Sequence, residues 1–134
     1  MSKMTVEVVT PERVVYSGDA KMVIARGVEG DLGILPNHMP LVTPLKIAPV
    51  RIQQEGDKET KIAVSGGFME VRGDKVTILA ETAELPEDID VARAQEAKAR
   101  AEKRLIDKHP DLDVRRAELA LQRALARLEV TNKL

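Results

Sequence analysis

The chain has 134 residues, of which 43% are hydrophobic, enough for one domain with a core or for a small domain with an appendage. Its formal net charge is −1, from 21 Lys and Arg against 22 Asp and Glu, whereas nucleic-acid-binding proteins are usually strongly basic. Because cysteine is absent, disulfides and thiolate metal sites are excluded. We also expect no signal peptide and no transmembrane helix, since no apolar segment has the required character or length.

The first 85 residues predict an antiparallel β-sandwich or flattened barrel. Short segments rich in Val, Ile and Thr alternate there with Gly, Pro and Asp turn signals. Pro44 and Pro49 are expected to break the segment 41–53 into two strands, and the pair Gly66–Gly67 is expected to form a turn or bulge between two others. The predicted strands span residues 4–10, 14–16, 20–25, 30–35, 41–47, 50–53, 61–64, 68–71 and 76–80.

Residues 86–134 predict two helices, so the predicted fold class is α+β. The first helix is expected over 88–106, with Asp88 or Asp90 as its N-cap, and the second over 113–129. The short connection between them requires an antiparallel hairpin. Because alanine buries little apolar area, we expect this hairpin to be held in place only marginally. The predicted apolar stripes consist of Ala94, Ala97, Ala101 and Leu105 on the first helix, and of Val114, Ala117, Leu121, Ala124 and Leu128 on the second.

No residue pattern predicts an enzyme. Ser65, followed by two glycines, has neither the lysine nor the following helix of a phosphate-binding loop, and no neighbouring histidine to activate it. The two histidines, His38 and His109, fall in different predicted parts of the fold, which disfavours a metal site. We therefore predict no catalytic residues and no metal ligands.

The helical hairpin is locally basic, with ten Lys and Arg against six Asp and Glu between residues 93 and 127. On an ideal helix Arg116, Arg123 and Arg127 point in one direction, and Arg115 lies about a quarter-turn aside. Two interpretations remain open at this point. The arginines form either a solvated surface with intrahelical ion pairs, or a face that binds a phosphate chain or an acidic protein segment.

The start of the first helix lies beside the end of the second in an antiparallel hairpin. Glu84, Asp90 and Arg93 would then lie near Arg123 and Arg127. Guanidinium groups beside a carboxylate can hold a triphosphate and a polar adenine edge, and magnesium need not take part.

Five segments carry a resemblance to a known family. They are E-G-D-L-G-I-L-P-N-H-M-P-L (29–41), A-V-S-G-G-F-M-E-V (63–71), D-K-V-T-I-L-A (74–80), D-I-D-V-A-R-A (88–94) and R-R-A-E-L-A-L-Q-R-A-L-A-R-L (115–128). In this order and spacing, the chain resembles the epsilon subunits of bacterial F-type ATP synthases along its full length. It is similar above all to members from Bacillus-like bacteria, thermophiles included.

The resemblance implies a non-catalytic subunit with a ten-stranded sandwich on the central stalk, in contact with the gamma subunit and the c-ring. Asp31 and His38 are the implied c-ring contacts. The hairpin is implied to lie folded on the sandwich or to extend toward the catalytic beta (and alpha) subunits, where it inhibits ATP hydrolysis. The implied inhibitory basic face consists of Arg115, Arg116, Arg123 and Arg127.

Some family members bind ATP in the folded hairpin through an I-D-x-x-R-A motif. The resemblance implies ATP as a regulatory ligand that favours the folded hairpin, with no required cofactor and no obligatory magnesium. Gln122 departs from the pattern, because close relatives carry a basic residue there. The residues that match the ATP site are Glu84, Ile89, Asp90, Arg93, Ala94, Arg123 and Arg127.

The resemblance also implies a peripheral location on the cytoplasmic face of the bacterial cell membrane, with attachment only through the complex. No nucleic-acid partner is implied. A different class of function, weighed beside this one, is a stand-alone anion- or nucleic-acid-binding module with a basic helical hairpin.

Overall fold

The computed structural model describes residues 3–107 and 109–134. Lys108, in the predicted connection between the helices, lies outside the described residues. The predicted order of a β-sandwich followed by a helical hairpin is confirmed. The described elements are β1 (Met4–Val9), β2 (Val14–Ala20), β3 (Met22–Gly27), β4 (Gly30–Ile34), β5 (Leu41–Gln53), β6 (Glu59–Arg72), β7 (Lys75–Ala80), β8 (Ala83–Glu84), α1 (Val91–Asp107) and α2 (Val114–Val130).

These strands form one hydrogen-bonded sheet in the order β2-β1-β7-β6-β5-β3-β4, with β8 beside β6. The long strands β5 and β6 belong to both layers of the sandwich. Residues 41–45 of β5 pair with 67–71 of β6, next to β7, whereas residues 47–53 pair with 59–65 in the half that continues to β3, β4 and β8. Buried side chains of both halves pack into a single cluster, so the sheet folds over itself at β5 and β6.

One strand pair departs from the predicted antiparallel arrangement, because β1 lies parallel to β7. The other pairs of the sheet are antiparallel. A tight turn forces antiparallel pairing, but β1 and β7 are separated by most of the sandwich in sequence. Their relative direction is therefore free of that constraint.

The segment 41–53 is one strand, and the prediction that proline divides it was wrong. Proline lacks an N–H group, so it fits in a strand only where the hydrogen-bond ladder does not need one. Pro44 precedes Leu45, the first β5 residue paired with β3, and Pro49 lies between Leu45 and Arg51, where the β3–β5 register shifts. Neither proline therefore interrupts that ladder.

The prediction of separate strands around Gly66–Gly67 was also wrong, because β6 continues through both glycines. Their φ angles are positive, 81° and 126°, and β6 changes partner from β8 to β7 at this point. A Cβ atom at Gly67 would lie 2.0 Å from the carbonyl oxygen of Leu79. Glycine is therefore required where the strand changes layers.

The number of strands differs from the number predicted from the sequence pattern and from the number implied by the resemblance. Two pairs of predicted strands are continuous, as β5 and β6, and the two-residue strand β8 was not predicted. The described residues thus form eight strands instead of the nine predicted from pattern or the ten implied by the resemblance. The core between the layers is aliphatic, and its largest fully buried side chains within the sandwich are Ile34, Ile52, Ile62, Met69 and Ile78.

Helix α1 begins at Val91, three residues later than predicted. The residues Pro86–Asp88 form a 3-10 turn. Asp90 then caps α1, because its Oδ1 accepts a hydrogen bond from the N–H of Arg93 at 3.1 Å. Asp90 is therefore the cap among the two predicted candidates.

Helix α2 has two buried sides, and the sequence pattern predicted one of them. Ala117, Ala124 and Leu128 of the predicted stripe are buried, on the helix that packs against α1. Ala126 and Val130 form a second buried side that packs on the sandwich. The cluster around this second side consists of Ile47, Ala63, Ile89, Ala126 and Val130. The helix of the hairpin that packs extensively on the sheet is α2, which contacts β5 and β6.

Candidate functional site

A cleft with a volume of about 430 Å³ opens between the two helices and the end of the sandwich. We call it the hairpin cleft. Strand β8 and the 3-10 turn form one side, and α1 and α2 form the others. Its lining residues are Glu84, Asp88, Asp90, Arg93, Ala94, Ala97, Arg100, Ala120, Arg123 and Arg127.

The helices place arginine and alanine side by side in the cleft. On α1, Arg93, Ala97 and Arg100 are four and three residues apart and therefore share one side of the helix. On α2, Arg123 and Arg127 lie one turn apart. The small alanines leave open space between the long guanidinium side chains, and this space is the cleft.

The structure brings six of the seven predicted ATP-site residues to this cleft. Ile89 is the exception, because it is only 9% exposed and packs with Ala63, Ala126 and Val130. Arg100 and Asp88 also line the cleft and were missed. The seven-residue spacing from Arg93 could have identified Arg100, since it places both arginines on the same side of α1.

Each carboxylate of the cleft has a partner. Glu84 accepts a hydrogen bond from Nε of Arg127 at 2.5 Å, and their side chains are 30% and 32% exposed. Asp88 forms an ion pair with Arg13 at 3.3 Å, and Asp90 caps α1.

Three cleft arginines, Arg93, Arg100 and Arg123, form no ion pair within residues 3–107 and 109–134. With Arg127, the cleft holds four guanidinium groups against three carboxylates that already have partners. It is therefore suited to an anion.

The four arginines of the predicted inhibitory face occupy two environments. Arg123 and Arg127 are partly buried and line the hairpin cleft, whereas Arg115 and Arg116 are exposed. Arg116 lies seven residues before Arg123 and extends its row along α2. The folded hairpin thus partly buries half of this face in the cleft.

The predicted c-ring contacts lie in the β3–β4 hairpin and the β4–β5 connection. Asp31 of β4 forms an ion pair with Arg26 of β3, at 3.2 Å between Nε of Arg26 and Oδ1 of Asp31. His38 donates from Nδ1 to the carbonyl oxygen of Met39 at 2.7 Å. Asp31 is exposed and His38 is half-buried, and Met39 beside His38 is 78% exposed.

An exposed apolar row crosses the outer face of the sandwich. Phe68, the single phenylalanine of the chain, is 53% exposed. Directly paired residues of neighbouring strands lie on the same face of a sheet, and the register links Pro44, Phe68, Leu79, Val9 and Val14 in turn. We call these residues, together with Val42, the apolar row. Sequence patterns placed Phe68 in a strand but did not show that it faces outward.

No group of three or more His, Asp or Glu side chains that could hold a metal ion occurs in the described part of the chain. No helix within residues 3–107 and 109–134 is long and apolar enough to span a membrane.

Family comparison covers nearly the whole chain. The family described as "ATP synthase, Delta/Epsilon chain, beta-sandwich domain" matches residues 3–86, and "ATP synthase, Delta/Epsilon chain, long alpha-helix domain" matches residues 87–132. The chain belongs to the ATP synthase delta/epsilon chain family. Within it, this is an epsilon chain, which is a non-catalytic subunit of ATP synthase.

The similar curated relatives are epsilon chains. The ATP synthase epsilon chain of Brevibacillus brevis is 79% identical over 131 residues, which cover 98% of this chain and 99% of the relative. The ATP synthase epsilon chain of Halalkalibacterium halodurans is 56% identical over 134 residues and covers 99% of this chain and 100% of the relative. The resemblance inferred from the five sequence segments is therefore confirmed.

Two solved structures share the fold. A chain of the Euglena gracilis mitochondrial ATP synthase structure, described as OSCP/F1/c-ring, has a TM-score of 0.82 and 24% identity, and the match covers 98% of this chain and 82% of that chain. A chain from the Tetrahymena thermophila mitochondrial ATP synthase, described as central stalk/cring, has a TM-score of 0.54 and 19% identity, with coverage of 65% and 69%.

Proposed function

We propose that this epsilon chain is a central-stalk subunit of the proton-translocating F-type ATP synthase and that ATP regulates its hairpin. Residues 1–85 are the docking unit and residues 86–134 the regulatory unit. The observation that carries the regulatory proposal is the hairpin cleft, where six predicted ATP-site residues meet.

The cleft suits the triphosphate of ATP in size and charge. Its volume of about 430 Å³ falls in the range of small-molecule sites, roughly 300–1,000 Å³. Arg93, Arg100 and Arg123 offer guanidinium groups without a competing ion pair in the described residues, and guanidinium binds phosphate oxygens in bidentate geometry. These cations supply the positive charge that a metal ion would otherwise bring, so the proposal requires neither magnesium nor another cofactor.

ATP favours the folded hairpin because the cleft exists only in that arrangement. Glu84 belongs to the sandwich, Arg93 to α1 and Arg123 to α2, and folding brings the three together. A ligand shifts a conformational equilibrium by the difference between its affinities for the two states. Extension would separate α2 from Glu84 and remove that binding energy.

The extended hairpin inhibits ATP hydrolysis by presenting its arginines to acidic segments of the beta and alpha subunits. Arg115 and Arg116 are already exposed in the folded arrangement. Arg123 and Arg127 are partly buried there and become fully exposed only when they leave the cleft. ATP and the catalytic subunits therefore compete for the same two guanidinium groups.

The apolar row is the proposed docking face for the gamma subunit. Phe68 and Leu79 are more than half exposed although they lie in central strands of their layer. Contiguous exposed apolar side chains on a folded domain mark protein interfaces. A Phe68→Ser variant is expected to weaken gamma binding in copurification, whereas a Glu12→Ser variant outside the row is not.

The exposed end that carries Asp31 and His38 is the proposed c-ring contact. Polar groups there adjoin exposed apolar side chains such as Val28 and Met39, which is the mixed composition of a protein interface. The c-ring and central-stalk assemblies of the structural relatives support this placement. Contact with the ring gives the subunit a peripheral location on the cytoplasmic face of the cell membrane, with no nucleic-acid partner.

ATP binding to the full isolated chain tests the site directly. In titration calorimetry we expect an Asp90→Ala, Arg93→Ala double variant to bind ATP at least about tenfold more weakly than the unmodified chain, because it loses a cap and a phosphate contact. The matched control is Glu102→Ala, Lys103→Ala, two exposed positions of α1 outside the cleft. Equal affinities of the unmodified chain and the cleft variant would refute the site.

Removal of the hairpin tests inhibition separately. ATP synthase reconstituted with a chain truncated after Leu85 is expected to hydrolyse ATP faster than the complex with the full chain, while the docked sandwich still copurifies with gamma. Unchanged hydrolysis in a complex that contains the truncated subunit would argue against inhibition by the hairpin.

A further inference from the structure

Arg13 lies in a connection that is held by several hydrogen bonds. The Oγ1 of Thr10 accepts hydrogen bonds from the N–H groups of Glu12 and Arg13, each at 3.3 Å. The N–H of Thr10 donates to the carbonyl oxygen of Arg13 at 2.9 Å. These hydrogen bonds lie within the β1–β2 connection, so the backbone at Arg13 is held in place independently of the helical hairpin.

This guanidinium reaches the wall of the hairpin cleft from outside. Nη2 of Arg13 lies 3.3 Å from Oδ2 of Asp88, a cleft-lining residue 75 positions later in the sequence. Asp88 belongs to the 3-10 turn that joins the sandwich to α1. Arg13 itself does not line the cleft.

The ion pair changes the charge that an anion in the cleft encounters. Glu84 is matched by Arg127 from within the cleft, but Asp88 has Arg13 as its partner, and Arg13 belongs to the sandwich. Without Arg13 the carboxylate of Asp88 would oppose a phosphate chain without compensation. Its repulsion would act on ATP and on any other polyanion in the same place.

We propose that Arg13 is a positioning residue of the hairpin cleft, which neutralises Asp88 and fixes the 3-10 turn so that the cleft accepts a polyphosphate. This inference rests on the proposed ATP site and adds a residue of the sandwich to it. Arg13 acts through Asp88, so its effect requires that carboxylate. The side chains of the pair are 57% and 44% exposed, so salt screens the interaction and the effect is modest.

A double-mutant cycle on the full chain tests the inference. ATP affinity is measured by titration calorimetry at low and high salt for the unmodified chain and for Arg13→Ala, Arg13→Lys, Asp88→Asn and the Arg13→Ala, Asp88→Asn double variant. At low salt we expect Arg13→Ala to weaken binding roughly two- to fivefold and Arg13→Lys to stay close to the unmodified chain. The double variant should bind like Asp88→Asn, because Arg13 has no carboxylate left to neutralise.

The salt dependence separates this role from a purely structural one. The loss in Arg13→Ala should shrink at high salt, whereas a loss caused by misfolding of the connection would persist. The Arg13→Ala substitution could leave ATP affinity unchanged at low salt, or it could weaken binding equally in the presence and in the absence of the Asp88 carboxylate. Either result would overturn the inference and leave the ATP site standing. An unmodified chain that binds no ATP would overturn the ATP site and this inference together.

Discussion

The ion pair between Glu84 and Arg127 is expected to hold α2 on the sandwich. Glu84 ends β8, and Arg127 lies on α2, 43 positions later. The substitution Glu84→Gln keeps the size of the side chain and removes its charge. Loss of one partner costs about 0–1 kcal/mol at an exposed pair and about 3–5 kcal/mol at a buried one. With side chains 30% and 32% exposed, this pair lies between those limits.

We therefore expect Glu84→Gln to weaken docking of the hairpin by about 1–2 kcal/mol, which raises the population of the opened hairpin roughly five- to thirtyfold. Native-state hydrogen exchange measures this opening, because α2 amides exchange when the helix leaves the sheet. Their protection should fall in the variant, while amides of the sandwich core keep theirs. The control is Glu129→Gln, an exposed α2 carboxylate without an ion pair in the described residues. Unchanged protection of α2 in Glu84→Gln would refute the role of this pair.

Three further outcomes follow from the structure. Gly67→Ala should lower the free energy of unfolding by more than about 3 kcal/mol in urea denaturation, because its Cβ would lie 2.0 Å from the Leu79 carbonyl oxygen; a loss below about 1 kcal/mol would contradict the close approach. The hydrogen bond from Arg51 holds the pKa of Glu59 below its ordinary 4.5, so Glu59 stabilises the fold above that pH and loses this contribution as pH falls through the lowered pKa. Glu59→Gln should therefore lower the free energy of unfolding by less than about 1 kcal/mol at pH 7 and leave it unchanged in strong acid. A loss of stability that persists in acid would show another cause. Phe68→Ser should leave the thermal midpoint of the isolated chain within about 3 °C of its unmodified value, since Phe68 is half exposed, and a larger drop would show that it supports the core.

Local signals in the sequence were sufficient where the chemistry is local. Asp90 could be recognised as a helix cap because capping depends on a residue and the N–H groups that follow it. Three residues of the predicted stripe, Ala117, Ala124 and Leu128, are buried, since the helical period alone fixes which residues share a side. The placement of Arg123 and Arg127 in one cleft with Asp90 and Arg93 also followed from the geometry of a short hairpin.

Contacts between distant segments were beyond those signals. The pattern gave no reason to join Arg13 to Asp88. The family resemblance implied Ile89 as a ligand contact, although its side chain packs between α2 and the sheet. Likewise, Pro44 and Pro49 mark breaks by local rules, but β5 runs through both of them, and neither is a register partner of β3.

The amino-acid sequence by itself determined the division into sandwich and hairpin, the family and the identity of the arginines in the helices. The tertiary structure decided which charges meet. Ion pairing depends on distances of a few ångströms between side chains that are far apart in sequence, and only the packing of α2 on the sheet brings Glu84 to Arg127. That packing also creates the hairpin cleft, because it directs Arg123 and Arg127 inward while Arg115 and Arg116 remain at the surface.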